Sequence, residues 1–155
     1  MLISEHLNEK CISIDLKGDT KDKILSELAE LQFKVHPELD PDETMASLFE
    51  REKLMTTGIG DGIAIPHARI CNCGDIYVSF GILKNDVEFQ TLDDKPVRIV
   101  FLILFPKEKV NLQLRFLARV SRVLQHSELL DDLLNCKSPE EVISIFKQYE
   151  EKHFH

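Results

Sequence analysis

The stretch Gly58–Arg69 reads GIGDGIAIPHAR and combines three glycines, a short apolar run, one proline and one histidine. Glycine adopts positive φ at no steric cost, so three glycines within five residues predict a tight turn that other groups can approach closely. Pro66 fixes its own φ and biases Ile65 toward extended geometry, so His67 follows a rigid lead-in. Because imidazole is a nucleophile and a proton-transfer group near neutral pH, His67 is a candidate catalytic residue.

A simpler interpretation of the same stretch is a loop that closes onto a strand, with His67 hydrogen-bonded inside the fold. One histidine without a visible catalytic partner satisfies few of the geometric tests for an active site. From the chemistry of the residues alone, both interpretations stay open.

The composition is that of a globular protein, with 155 residues, 43% of them apolar, and no repeat or low-complexity run. This length fits one domain, 1–155, with a sizeable core. The net charge of −8 and the pI near 5.2 disfavour a nucleic-acid partner and favour a partner with a basic face. No apolar run is long enough to span a membrane and no signal peptide is visible, so we expect a cytoplasmic protein without membrane insertion.

The four cysteines are too sparse for a disulfide framework, and reduced thiols are expected. His67, Cys71 and Cys73 together raise the question of a zinc site. The usual Cys-x-x-Cys spacing is missing and no second ligand pair follows, so the sequence predicts no metal site. A CxC pair beside an active histidine makes sensitivity to oxidants worth testing.

Apolar periodicity and capping residues predict strands and helices along the whole chain. Five helices are expected: one after Thr20, one from Pro41, one from Asn111 to Leu124, one from Ser127 and one after Ser138. Four strands are expected at 11–16, which lies at a sheet edge, and at 76–83, 87–92 and 97–105. The run 97–105 is almost wholly apolar, as in a central strand covered on both faces. Helices before and after such strands predict a three-layer α/β/α sandwich with a mixed sheet.

Arg51 lies at the end of the helix that begins at Pro41. Helical periodicity puts it beside Leu48 and Met55, where it points toward the glycine segment. The alternative is a solvated arginine that pairs with Glu50 or Glu52, since exposure is the usual fate of arginine.

Arg51-Glu52, Thr57-Gly58-Ile59-Gly60 and Gly62–Arg69 together closely resemble the active-site signature of the enzyme IIA domains of the fructose/mannitol class, or type 2. These domains belong to the bacterial phosphoenolpyruvate-dependent sugar phosphotransferase system, and the class includes the stand-alone nitrogen-regulatory enzyme IIA, which this chain resembles most. The resemblance covers nearly the whole chain, including 77–83, 92–97 and 112–124. It implies the same α/β/α fold.

The resemblance also implies a phosphocarrier function. The histidine that matches His67 carries a phosphoryl group, received from a histidine carrier protein, and the arginine that matches Arg51 lies beside it. The backbone N–H groups exposed from Gly58 to Gly62 are expected to form an anion-binding nest, with Gly58, Gly60 and Gly62 as phosphoryl-binding residues and Arg69 as a further one. Phosphoryl transfer between proteins in this manner needs no metal, nucleotide or other cofactor, and no P-loop motif is present.

The sequence departs from the family pattern at Asn111, which stands where many members carry a second active-site histidine. Asparagine can donate a hydrogen bond to a phosphoryl oxygen, but it cannot become cationic or take a proton. A role for Asn111 in phosphoryl binding and a purely structural role as N-cap of the following helix are equally open.

Three functions follow. In a regulatory branch of the nitrogen type, the phosphorylation state of His67 controls which target proteins are bound; the apparent lack of an attached IIB or IIC segment and the presence of Asn111 favour this branch. In sugar uptake, the phosphoryl group passes to a IIB cysteine. In the third function the chain is a binding module that has lost phosphorylation.

Overall fold

The computed structural model describes residues 1–54, 56–89, 91 and 93–154. The described residues form six strands and five α-helices. Two 3-10 turns, Ser4–His6 and Glu9–Cys11, precede these elements. In chain order these are β1 (Ile12–Leu16), α1 (Lys21–Val35), α2 (Pro41–Leu54), β2 (Gly58–Gly60), β3 (Ile63–Ala64), β4 (His67–Ile70), β5 (Tyr77–Val87), β6 (Val97–Pro106), α3 (Val110–Val123), α4 (Ser127–Leu134) and α5 (Pro139–His153).

Three helices begin at capping residues, as the sequence predicts. The side chain of Thr20 accepts a hydrogen bond from Lys23 N at the start of α1, and Ser138 accepts one from Glu141 N at the start of α5. Asp40 Oδ1 accepts from Asp42 N at the start of α2. Each cap satisfies a backbone donor that the first turn of a helix leaves without an intrahelical partner.

β6 lies at the centre of the sheet. The strand order is β1-β5-β6-β3-β2, and β4 pairs with β6 further along the same side as β3. β5 pairs with β6 in antiparallel orientation, whereas β3 and β4 run parallel to it. The predicted mixed sheet, the central apolar strand and the edge position of β1 are therefore confirmed.

Helices cover both faces of the sheet and divide the core into two clusters. On one face, α1 and α2 pack with Ile24, Leu28 and Leu48 against the alternate residues Val100, Leu102 and Leu104 of β6. On the other face, α3, α4 and α5 pack with Phe116, Leu129 and Phe146 against Phe101, Ile103 and Phe105. The predicted three-layer α/β/α arrangement is confirmed.

The strand that follows the glycine stretch is longer than the sequence predicts. β5 continues through the polar residues 84–86 and ends at Val87, which pairs with Val97 after a shift of register beyond Ile82. The separate strand predicted for 87–92 is wrong in its described part, because Val87 belongs to β5 and 88–89 lie outside any strand. Met55, which helical periodicity is expected to place beside Arg51, and Leu92, which belongs to the family resemblance, lie outside the described residues.

Candidate active site

Hydrogen bonds on both sides hold the segment that leads to His67. Ile65 N donates to Thr57 O at 2.9 Å, and Ile103 N of β6 donates to Pro66 O at 2.9 Å. His67 opens β4 opposite Ile103 in a parallel pair, so its side chain lies on the same sheet face as that of Ile103. The backbone at the histidine is therefore tied directly to the central strand.

A backbone carbonyl determines which ring nitrogen of His67 carries the proton. His67 Nδ1 lies 2.8 Å from Ile65 O, and since a carbonyl can only accept, Nδ1 carries the proton and donates. In the neutral imidazole, Nε2 then holds a lone pair. The arrangement leaves Nε2 as the ring nitrogen with a lone pair.

The surroundings of His67 favour its neutral form. Burial is the main cause that lowers its pKa below the ordinary value of 6.5, and the charge of Arg51 lowers it further. The hydrogen bond to Ile65 and the charge of Glu52 act in the opposite direction. The net shift is downward, so near neutral pH Nε2 keeps the lone pair that nucleophilic attack requires.

A cavity of about 720 Å³ opens beside His67, between α2, β4 and the start of α3. His67, only 8% exposed, lines it together with Arg51 and Arg69. The structure thus brings together three of the predicted site residues. The remaining lining residues are Ser47, Glu50 and Leu54 from α2, Ala68 from β4, and Lys107, Glu108, Val110, Gln113 and Leu114 from the loop after β6 and from α3.

Glu52 is a structural residue of the site that was not among the predicted site residues, although the sequence motif includes it beside Arg51. Its carboxylate is buried and lies 2.8 Å from Lys21 Nζ, and it accepts hydrogen bonds from Thr57 N at 3.1 Å and Thr57 Oγ1 at 2.5 Å. These contacts join the end of α2, and hence Arg51, to the beginning of the glycine stretch. Its place beside Arg51 in the motif was the available signal.

The glycines form the tight turn that the sequence predicts, with φ of 97° at Gly60 and 80° at Gly62. This turn does not lie beside His67. Gly62 O accepts from Arg98 N and Ile99 N, whereas His67 pairs with Ile103, four residues or about 13 Å further along β6. Among the backbone N–H groups of the expected anion nest, that of Asp61 already donates to the Asp93 carboxylate at 3.0 Å.

Asn111 is the second residue of α3, exposed to solvent, and it does not line the cavity. The prediction that it caps this helix is wrong, because α3 begins one residue earlier and Lys109 occupies the cap position. Helical periodicity instead turns Val110, Gln113 and Leu114 toward the cavity. Gln113 is therefore the side-chain amide that α3 contributes to the cavity. It could have been predicted only if the first residue of the helix had been known.

Cys71 and Cys73 follow β4 outside the cavity. Burial raises the pKa of Cys73 to about 12, and its Sγ donates to Asp75 O at 3.0 Å, so this thiol is poorly suited to form a reactive thiolate. Within the described ranges, no three His, Cys, Asp or Glu side chains are grouped so that they could hold a metal ion. None of the helices in the same ranges is long and apolar enough to cross a membrane.

Known proteins with similar sequences carry two kinds of name, nitrogen regulatory protein and fructose-specific PTS component. The chain is 31% identical to a nitrogen regulatory protein of Pseudomonas aeruginosa, over 85% of this chain and 86% of that protein. It is also 31% identical to a PTS system fructose-specific EIIA component of Haloferax volcanii, over 88% and 89% of the two chains. A fructose-specific EIIABC component of Bacillus subtilis is 30% identical over 97% of this chain, which spans only 24% of that longer protein.

Solved structures show the same fold. The crystal structure of the nitrogen regulatory protein IIA-Ntr from Neisseria meningitidis superposes with a TM-score of 0.86 at 29% identity, covering 93% of this chain and 98% of that one. IIA mannitol from Escherichia coli, at 22% identity, has a TM-score of 0.76 over 90% and 98% of the two chains. The family model described as "Phosphoenolpyruvate-dependent sugar phosphotransferase system, EIIA 2" matches residues 5–149. The chain therefore belongs to the type 2 enzyme IIA family of the phosphoenolpyruvate-dependent sugar phosphotransferase system.

Proposed function

We propose that this chain is a phosphocarrier that accepts a phosphoryl group on Nε2 of His67 from a phosphorylated histidine carrier protein. The observation that carries the proposal is the 2.8 Å contact between His67 Nδ1 and Ile65 O inside the cavity that Arg51 lines. The Nε2 lone pair forms the new N–P bond while the N–P bond of the donor breaks, and the donor imidazole keeps that electron pair. Ile65 O continues to accept from Nδ1 as positive charge develops on the ring.

Positive groups of the cavity can stabilise the phosphoryl oxygens in transit. Arg51 and Arg69 approach His67 from α2 and β4, and the Arg69 guanidinium is oriented by donation to Lys107 O at 3.4 Å. Phosphoryl transfer depends mainly on positioning and on charge stabilisation, which guanidinium groups supply. We assign phosphoryl binding to Arg51 and Arg69. The glycines instead form the turn that precedes His67 in the chain. Asn111, exposed on α3, is a weaker candidate for phosphoryl binding than Gln113.

Exposed apolar side chains around the cavity support a protein as the phosphodonor. Leu54 is 84% exposed, Leu114 62% and Val110 45%, and all three line the cavity. Large apolar side chains grouped at a site mark protein contact surfaces. A donor protein that covers these three side chains would also exclude water from the reacting phosphoryl group.

The decisive experiment measures the intact mass of the protein after incubation with phosphoenolpyruvate, enzyme I and the histidine carrier protein. We expect a gain of one phosphoryl group that is labile in acid, absent in His67→Ala and retained in His126→Ala, a control histidine that lies between α3 and α4 and does not line the cavity. Arg51→Ala should slow the gain by on the order of a hundredfold, because one charge-stabilising group is lost. No gain in the parent protein, with a competent control acceptor in the same mixture, would favour a binding module that has lost phosphorylation.

For the step after phosphorylation we favour regulation of the nitrogen type over sugar uptake. The structure of IIA-Ntr from Neisseria meningitidis has the higher TM-score, 0.86 against 0.76 for IIA mannitol, and Asn111 replaces the second family histidine. Sugar uptake remains the second candidate, because the fructose-specific component of Haloferax volcanii is as identical to this chain as the nitrogen regulatory protein of Pseudomonas aeruginosa. Another similar solved structure is a complex of enzyme IIAMTL with phosphorylated enzyme IIBMTL from Escherichia coli.

Pull-down with unphosphorylated and phosphorylated protein separates the two branches. Retention of a IIB domain, followed by transfer of the phosphoryl group to its cysteine, supports uptake. Retention of a kinase, channel or transcriptional regulator by only one of the two forms supports regulation. His67→Ala serves as the form that cannot be phosphorylated.

A further inference from the structure

The outer side of α3 carries three arginines away from the His67 cavity. Arg115, Arg119 and Arg122 recur at intervals of four and three residues, so they lie along one side of the helix. They line a second concave site of about 540 Å³ together with Met1, Ala118, His153 and Phe154. None of these residues lines the cavity of His67, so the arginine site, as we call it, is separate from the proposed phosphorylation site.

The three guanidinium groups retain their hydrogen-bond donors. Within the part of the chain that the structure describes, none of them forms an ion pair or a hydrogen bond, although the chain has 27 acidic residues against 19 basic ones. Glu150, an acid of the neighbouring α5, is buried and engaged elsewhere, since its two oxygens accept from Ile3 N and Ser4 N. Three like charges that form no ion pair with any described acid repel one another, which an anionic ligand would relieve.

Phe154 holds two of the arginines in place without using their donors. The guanidinium carbons of Arg119 and Arg122 lie 4.6 and 5.1 Å from the centroid of its ring. The ring is itself positioned by the backbone bond from Phe154 N to Glu150 O at 2.8 Å and by packing against the core. Cation–π contact with a ring face leaves the N–H groups of a guanidinium available, so the site is partly organised before any ligand binds.

We propose that the arginine site binds a compact polyphosphate anion, the phosphate chain of a nucleoside triphosphate or free inorganic polyphosphate. Guanidinium groups match phosphate oxygens in paired hydrogen bonds, and three of them in one concavity suit more than one phosphoryl group. The net charge of −8 opposes an extended polyanion such as nucleic acid or an acidic protein surface. A short anion responds mainly to the local charges, because screening limits the effect of charges beyond about 8 Å at physiological ionic strength.

The test is isothermal titration calorimetry of the whole chain with sodium tripolyphosphate and, separately, with ATP, at an ionic strength of about 0.15 M. We expect saturable binding with one site per chain, weakened at least tenfold in Arg119→Gln/Arg122→Gln. Equal affinity for the two ligands identifies the phosphate chain as the ligand, and tighter binding of ATP identifies a nucleotide. Failure of both ligands to bind the parent protein overturns the proposal.

Two controls separate the arginine site from general charge and from the His67 cavity. Lys34→Gln/Lys84→Gln removes the same two charges from exposed positions on α1 and β5 and should keep the parent affinity. Arg51→Ala should also keep it. An equal loss in the lysine variant would mean non-specific attraction, and loss in Arg51→Ala would mean binding beside His67; either result is incompatible with the proposal.

Phe154→Leu provides a second variant that preserves the charges and most of the apolar packing. It removes the ring face that orients Arg119 and Arg122, so we expect affinity for tripolyphosphate to fall several-fold. An unchanged affinity in both Phe154→Leu and Arg119→Gln/Arg122→Gln would show that the anion binds elsewhere. Thermal unfolding followed by circular dichroism verifies that each variant is folded.

Discussion

At the scale of single residues, opposing charges act on His67. Burial and Arg51 lower its pKa, and Glu52, which lies one residue beyond Arg51, raises it. Two neighbouring residues of α2 therefore shift the pKa of the same imidazole in opposite directions. Since protonation removes the Nε2 lone pair, a pKa below 6.5 lets the proposed nucleophile keep that lone pair at a lower pH than an ordinary histidine does.

The opposite effects of Arg51 and Glu52 can be measured by following the His67 ring protons in an NMR titration. We expect the midpoint in the parent protein to lie below 6.5, to rise in Arg51→Ala and to fall in Glu52→Gln, because each substitution removes one charge acting on the ring. Arg115→Ala, which removes a positive charge outside the cavity, is the control and should leave the midpoint in place. Shifts of the same sign in the two α2 variants would refute this account.

The residue-level predictions succeeded where the evidence is local. The rigid lead-in to His67 rests on Pro66 and its neighbours, and the turn at Gly60 and Gly62 rests on the tolerance of glycine for positive φ. The distance between that turn and His67 depends instead on the register of β3 and β4 along β6, which the residues of the motif do not specify. Closeness in sequence was therefore a poor guide to closeness in space.

At the scale of elements, Gly81 allows β5 to pack under α1. A Cβ atom at this position would collide with Leu16 Cδ1 and would lie 2.8 Å from Leu16 Cγ and 3.0 Å from Leu28 Cδ2. Those leucines belong to β1 and α1, so a single missing side chain lets three elements meet. Apolar alternation predicts the strand but does not show which positions must stay small.

Gly81→Ala is therefore expected to lower the free energy of unfolding by about 2 kcal/mol, the usual cost of an added group in a packed core. Urea denaturation measures this change. Gly74→Ala is the matched control, because among the residues that the structure describes its Cβ would meet only Tyr77 Oη within 4 Å, at 3.5 Å. It should change stability by less than about 1 kcal/mol. Equal stability of the two variants would show that β1 and α1 shift to accommodate the added Cβ with little loss of free energy of unfolding.

Local signals also explain which elements were predicted correctly. Caps at Thr20, Asp40 and Ser138 act within four residues of the chain, so the starts of α1, α2 and α5 could be predicted. The extension of β5 to Val87 depends on its antiparallel partner Val97, ten residues away in the chain. Pairing between strands overrides the weak apolar pattern of 84–86.

At the scale of the whole molecule, the sheet separates two apolar clusters, and one buried carboxylate joins distant parts of the chain. Glu150 on α5 accepts from Ile3 N at 2.7 Å and Ser4 N at 2.9 Å, and Ile3 is itself fully buried in the cluster beneath α3 and α5. Neither periodicity nor capping predicts this contact, because the apolar pattern of α5 marks only its core stripe and treats glutamate as a surface residue. The N-terminal turn is thus held to the fold by a polar contact as well as by apolar burial.

Glu150→Ala should lower the free energy of unfolding by about 3 kcal/mol, because two charge-assisted hydrogen bonds are lost and a buried backbone N–H is left without its partner. Glu151→Ala, at the exposed next position of the same helix, should change it by less than about 0.5 kcal/mol. Urea denaturation gives the stabilities, and hydrogen exchange at Ile3 and Ser4 locates the effect. If Glu150→Ala destabilises the chain without faster exchange at these two amides, the loss arises within α5 and the link between the two parts of the chain contributes little. If exchange accelerates there while urea stability is unchanged, the N-terminal turn opens independently of the sheet.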